Sequence, residues 1–178
     1  MNDSALDNTN SEPGAKTERV RIPGWCLFLL VSVIIIVDQY TKYLSTLNLD
    51  LGVPVNVFPG FDLLLAHNEG AAFSFLNDAS GWQRWVLAAI STGVSVVLAI
   101  WLWRMPRNQQ LLAVALTFIL GGALGNLYDR VAMGYVVDFI SVYYGSWRFA
   151  TFNIADAAIS CGAVLLVLDV LLNGVRDD

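Results

Sequence analysis

The chain has 178 residues, of which 56% are hydrophobic and only 14% charged, against about 25% charged in an ordinary soluble domain; its mean hydropathy is +0.58. Six of the 15 acids sit in the two tails, so the formal net charge of −5 says little about partners. No cluster of Lys and Arg suggests nucleic acid, and that class is set aside.

Residues 1–22 are rich in Asn, Asp, Ser, Glu and Lys without apolar periodicity, and read as a disordered tail. From Trp25 to Val37 there is no charge, and after Asp38-Gln39 the run continues to Leu47. A cleaved secretory signal competes for this segment, but no small-x-small site follows it. The second apolar run, Trp85 to Trp103, has 19 uncharged residues and the third, Leu111 to Tyr128, has 18; the fourth, Phe152 to Leu172, carries Asp156 near its start and Asp169 near its end. Each approaches the roughly 20 residues that cross a hydrocarbon core. The expected fold is an all-α membrane protein with four transmembrane helices in one unit over 23–174, followed by a short tail, 175–178.

Basic residues orient the helices. Lys16, Arg19 and Arg21 precede the first, Arg104 and Arg107 fill the turn between the second and third, and Arg176 follows the fourth. Both termini are therefore expected in the cytoplasm, with segments of about 48–84 and 129–151 outside. Within the first segment, β-branched residues and Pro59-Gly60 suggest a hairpin on the membrane surface, a small β-like cradle. The stretch after Asn77 reads as a short interfacial helix bearing Trp82 and Trp85.

A rise of about 1.5 Å per residue converts sequence into depth. Asp38 lies about 20 Å from the inner end of the first helix, Asp129 ends the third, and Asp156 opens the fourth, so three helices bring acids to the outer third of the membrane. Asp138, inside Tyr135-Val-Val-Asp-Phe-Ile140, belongs to the outer segment just before the fourth helix. Each acid also has a structural explanation: Asp38 and Lys42 form an i, i+4 pair, Asp129-Arg130 an interfacial anchor, and Asp156 a first-turn acid at a helix N-terminus. Asp169 suits an exposed or snorkelling helix end. Asp138 is the hardest to explain that way, because apolar residues flank it and no base is adjacent.

Two close carboxylates suit a hydrolase in which one holds a proton and polarises a carbonyl while the other deprotonates water. Other routes lack parts. Cys26 and Cys161 have no second thiol nearby, and the single His67 and the absence of H-E-x-x-H exclude the usual metalloprotease helix. A Ser/His arrangement of His67 and Ser74 lacks the G-x-S-x-G elbow. His67 is read as a loop residue, and no metal or cofactor is expected. A small four-helix proton-coupled transporter is the competing class, but such carriers usually gather their acids near the bilayer midplane at an internal repeat.

Val37-Asp-Gln-Tyr-Thr-Lys42, His67-Asn-Glu-Gly-Ala-Ala-Phe-Ser74, Gly125-Asn-Leu-Tyr-Asp-Arg130, Val136-Val-Asp-Phe-Ile140 and Phe152-Asn-Ile-Ala-Asp-Ala157 together closely resemble bacterial lipoprotein signal peptidase, also called signal peptidase II. The likeness runs from about 23 to 172; Ala150 stands where many members have Pro. It implies an aspartyl endopeptidase of the inner membrane, its site facing the periplasm, that removes the signal peptide of prolipoproteins before a diacylglyceryl-bearing cysteine and is blocked by globomycin-type inhibitors. It further implies Asp138 and Asp156 as the catalytic pair, Asn68, Asn126, Arg130 and Asn153 lining the site to bind substrate or hold the pair, and Asp38, Lys42 and Asp129 as structural support. Membrane lipids are the surroundings it implies; from their placement alone, 48–82 would be a surface cradle and 139–149 a flap over the site.

Overall fold

A computed structural model describes residues 22–70, 82–106 and 108–173. Its four long helices are α1 (Gly24–Asn48), α2 (Trp82–Arg104), α3 (Gln110–Ala132) and α4 (Ile154–Asn173). Each is long and apolar enough to cross a membrane. Much of their apolar surface faces outward, as at Val97, Val164 and Leu171, each about 60% exposed, which suits a lipid surround rather than water.

Helix α3 is the hub, packing on α1, α2 and α4. Small residues bring its backbone close to its neighbours, as expected where lipid supplies no hydrophobic drive between helices. At Gly122 a Cβ would collide with the Ala155 carbonyl oxygen and approach Ile159 Cγ1 to 2.7 Å; a larger residue there would force α4 away from α3. Lower in the bundle, Leu27, Val31, Leu98, Leu102, Leu116 and Leu120 form an apolar core.

At the other end sits a four-stranded antiparallel sheet, ordered β1 (Val55–Phe58), β2 (Phe61–Asn68), β3 (Val136–Tyr144), β4 (Trp147–Arg148). The Pro59-Gly60 turn joins β1 to β2, with Gly60 at φ +95°, so the hairpin expected in the first outer segment is present. Strand β3 pairs along β2, Asp138 opposite Ala66 and Val136 opposite Asn68.

Three local expectations need correction. Trp82 and Trp85 lie on the first turns of α2 rather than on a separate interfacial helix; residues 71–81, the rest of that stretch, lie outside the described residues, as do the two tails. His67 is a strand residue of β2, not a loop residue, and its ring stacks on Tyr135 at 3.9 Å. Residues 139–149 are not a free flap: they form most of β3 and all of β4, and Arg148 Nη2 is 2.7 Å from Asp62 Oδ2 on β2. Hydrogen bonds from Asn56 and Arg148 hold the Asp62 carboxyl below the usual carboxylate range.

Candidate active site

The site is built on a buried cation. Lys42, on α1, is 3% exposed, and its Nζ lies 2.8 Å from Asp38 Oδ2 and 2.7 Å from Asp129 Oδ2. Its third donor reaches Asn126 Oδ1 at 2.9 Å, so all three ammonium protons are used. The i, i+4 pair read from the sequence is therefore half of a larger cluster that ties α1 to α3.

The two acids of that cluster also organise backbone. Asp38 Oδ1 accepts the Ala155 N–H at 2.8 Å, holding the N-terminus of α4. Asp129 Oδ2 accepts the Val137 N–H at 3.3 Å, holding β3 one residue before Asp138. Gln39, which the sequence reading passed over, donates from Nε2 to Asp129 Oδ1 at 2.8 Å and to Asp38 Oδ2 at 3.2 Å. The available signal was a polar amide inside a membrane-depth run beside Asp38.

Beside this cluster stand Asp138 on β3 and Asp156 in the first turn of α4, linked by Asn153. Asn153 Nδ2 donates to Asp138 Oδ1 at 2.7 Å, while Asn153 Oδ1 accepts the Asp156 N–H at 2.9 Å and Asp156 Oδ2 accepts the Asn153 N–H at 3.2 Å. That reciprocal pair is a capping box, so Asp156 does serve as a helix-start acid. Its other oxygen, Oδ1, accepts from Asn126 Nδ2 at 2.7 Å. Asn68, on β2, donates to Asp138 Oδ2 at 3.0 Å.

Of the residues expected to line the site, Asn126 and Asn153 are 5% and 0% exposed and spend their amides on the carboxyls. Arg130 is half-buried, donates to the Asn126 carbonyl at 3.3 Å, and stands within electrostatic reach of Asp156, Asp129 and Asp138. Asp138 is 1% exposed, whereas Asp156 is half-buried. Asp169 stands apart near the far end of α4, bonded to Asn173 at 2.6 Å.

Burial pushes the Asp138 carboxyl up to about 6; the Asn68 hydrogen bond opposes the shift and the charge of Asp156 adds to it. The folded protein thus keeps the Asp138 proton to about 6, while the unfolded chain releases it near 3.8. This group favours the fold below about 3.8, and its contribution is lost as the pH rises through about 6. The melting temperature of the wild type relative to Asp138→Asn is therefore expected to fall between pH 4 and pH 6.5 in detergent; a difference that is flat or rises would contradict the burial of this acid. Chemically, two coupled carboxyls of which one is reluctant to ionise can share a proton, and such a pair can act on water and a carbonyl together.

The signal peptidase (SPase) II family model matches residues 30–172. The chain is 57% identical over 150 residues to a lipoprotein signal peptidase of Ectopseudomonas mendocina (strain ymp), covering 83% of this chain and 89% of that protein. It is 52% identical over 143 residues to a lipoprotein signal peptidase of Escherichia coli (strain K12 / DH10B), covering 80% and 87%. A bacterial membrane enzyme solved by the in meso method at 2.3 Å superposes with a TM-score of 0.77 at 28% identity, covering 89% of this chain and 94% of that one. All five sequence motifs fall inside the matched span, and the chain belongs to the signal peptidase (SPase) II family.

Proposed function

We propose that this protein is an aspartyl endopeptidase of the bacterial inner membrane that removes the signal peptide of diacylglyceryl-modified prolipoproteins, cutting before the lipid-bearing cysteine. The observation that carries the reading is that one buried asparagine, Asn153, binds the carboxyls of both Asp138 and Asp156, at the sheet end of a bundle of four apolar helices. A lipid-bearing substrate can reach that level from the bilayer while its signal helix stays in hydrocarbon.

In the proposed reaction Asp138, whose burial favours the neutral form, donates a hydrogen bond to the scissile carbonyl oxygen. Asp156, nearer the surface, takes a proton from the attacking water. Hydroxide adds to the carbonyl carbon and the carbonyl π-electrons move to oxygen. As the C–N bond breaks, the amine nitrogen takes up the proton that Asp156 received, and the signal peptide leaves as the carboxylic acid. Asn126 and Asn153 orient the pair, Asn68 and Arg130 meet the substrate, and Asp38, Lys42 and Asp129 hold the elements that carry them. The distribution of Lys and Arg supports cytoplasmic termini and a site facing the periplasm, with 23–174 as the working unit. Globomycin-type peptides would compete at the same place.

Purified protein mixed with a diacylglyceryl-modified prolipoprotein should convert it to a faster-migrating band whose N-terminus is the lipid-bearing cysteine, and a globomycin-type peptide should stop the conversion. An intact substrate, or a cut elsewhere, would overturn the reading.

A further inference from the structure

Opposite the carboxyl cluster, about 20 Å along α1 from Asp38 by helical rise, a cleft of about 520 Å³ opens between the start of α1, the end of α2 and the start of α3. That volume lies within the range of small-molecule pockets. Its walls are apolar, including Trp25, Phe28, Leu102, Trp103, Met105 and Ala113, and its polar lining includes Gln109 and Gln110. Trp25 and Trp103 are 68% and 80% exposed, as aromatic side chains at a membrane interface commonly are.

The chain segments that line the cleft carry basic residues and no acid. Arg104 stands between two lining residues, Trp103 and Met105; Arg21 precedes the lining residue Ile22 in sequence and Arg107 follows Pro106. No acid occurs from residue 19 to 37 or from 79 to 128. The first turns of α1 and α3, which reach the cleft, contain no acid and their N-cap residues make no side-chain capping bond, adding positive potential. An apolar cleft in a membrane end with a cationic margin complements one kind of molecule: acyl chains below and an anionic phosphate group above.

We propose that this cleft binds an anionic phospholipid of the leaflet opposite the candidate active site, its acyl chain against Phe28, Leu102 and Ala113 and its phosphate toward Arg104. The site stands apart from the peptidase reading and uses none of its residues.

The test is lipid retention. Full-length protein in mild detergent is given equal phosphatidylglycerol and phosphatidylcholine, and bound lipid is counted by native mass spectrometry. The wild type should keep one phosphatidylglycerol in preference to phosphatidylcholine. Arg104→Gln should cut that preference about fivefold, the weight of one basic side chain facing an acidic lipid. Ala113→Phe, which fills the cleft, should lose the retained lipid, whereas Val164→Phe on the outer face of α4 should keep it. If Ala113→Phe fails to fold, Arg104→Gln decides alone. Equal retention of both lipids, or an unchanged preference in Arg104→Gln, would overturn the site. So would a gain in bound lipid on deleting residues 1–21, which would make the tail the occupant.

Discussion

Asp138→Asn or Asp156→Asn lowers prolipoprotein cleavage at least about 10³-fold, the upper part of what a positioned proton-transfer group contributes, while the protein still inserts and folds. Asn keeps the side-chain volume and one carbonyl oxygen, so position 138 still accepts from Asn153 and position 156 still caps α4. What disappears is the ability to hold or take a proton. The amide also turns a donor toward Asn68 or Asn126, a cost that a small rotation of those side chains offsets. Binding of the lipid-bearing substrate should therefore survive in both variants, leaving the loss in kcat rather than KM. His67→Ala should retain cleavage, because the ring packs on Tyr135 and no step uses it. Normal processing by either Asn variant would remove the pair from the mechanism.

A second large effect is expected at Lys42, and it falls on stability. Lys42→Met leaves Asp38 and Asp129, both 0% exposed, facing each other without their cation, at a cost of about 3–5 kcal/mol. Because those acids hold Ala155 and Val137, the damage should spread to the placement of both Asp156 and Asp138, and cleavage should fall with the melting temperature. Arg is no substitute: a guanidinium is larger and planar, and the site is shaped for one ammonium with three acceptors. Neutralising all three residues, Asp38→Asn, Lys42→Met and Asp129→Asn together, removes the unpaired charges and should regain much of the lost stability. A Lys42→Met protein that melts with the wild type would show that the cluster is not what holds these elements together.

Much of this arrangement was readable from helix geometry. Apolar run lengths gave the four helices to within a few residues, and a constant rise per residue set Asp38, Asp129 and Asp156 at one level, where Lys42 and Asn126 now join them. The strand carrying Asp138 was not readable, for a physical reason. Val136, Val137, Asp138 and Phe139 are all buried, so the part of β3 that carries Asp138 has no exposed face and shows no alternation of apolar and polar residues. Its pairing with β2 joins residues 68 to 81 positions apart, from Asn68↔Val136 to Phe61↔Val142, which no local pattern records. Asn153 was named for the site from its motif; that it would bond both carboxyls while starting a helix required knowing where β3 lies. Gln39 was missed because, besides its neighbour Asp38, its partners come from α3, 86 and 90 residues away.

The most direct measurement compares two synthetic prolipoprotein peptides that differ only in whether the cysteine carries diacylglycerol, incubated with the purified protein in nanodiscs and read by mass spectrometry. A site at the membrane level of a helix bundle draws recognition from acyl chains, at about 0.8 kcal/mol per buried CH₂ in the favourable limit. The lipid-bearing peptide should be cut on the N-terminal side of its cysteine, and the lipid-free peptide far more slowly or not at all. Equal rates would mean that the lipid is not read, and would replace the lipoprotein reading with that of a broader intramembrane peptidase.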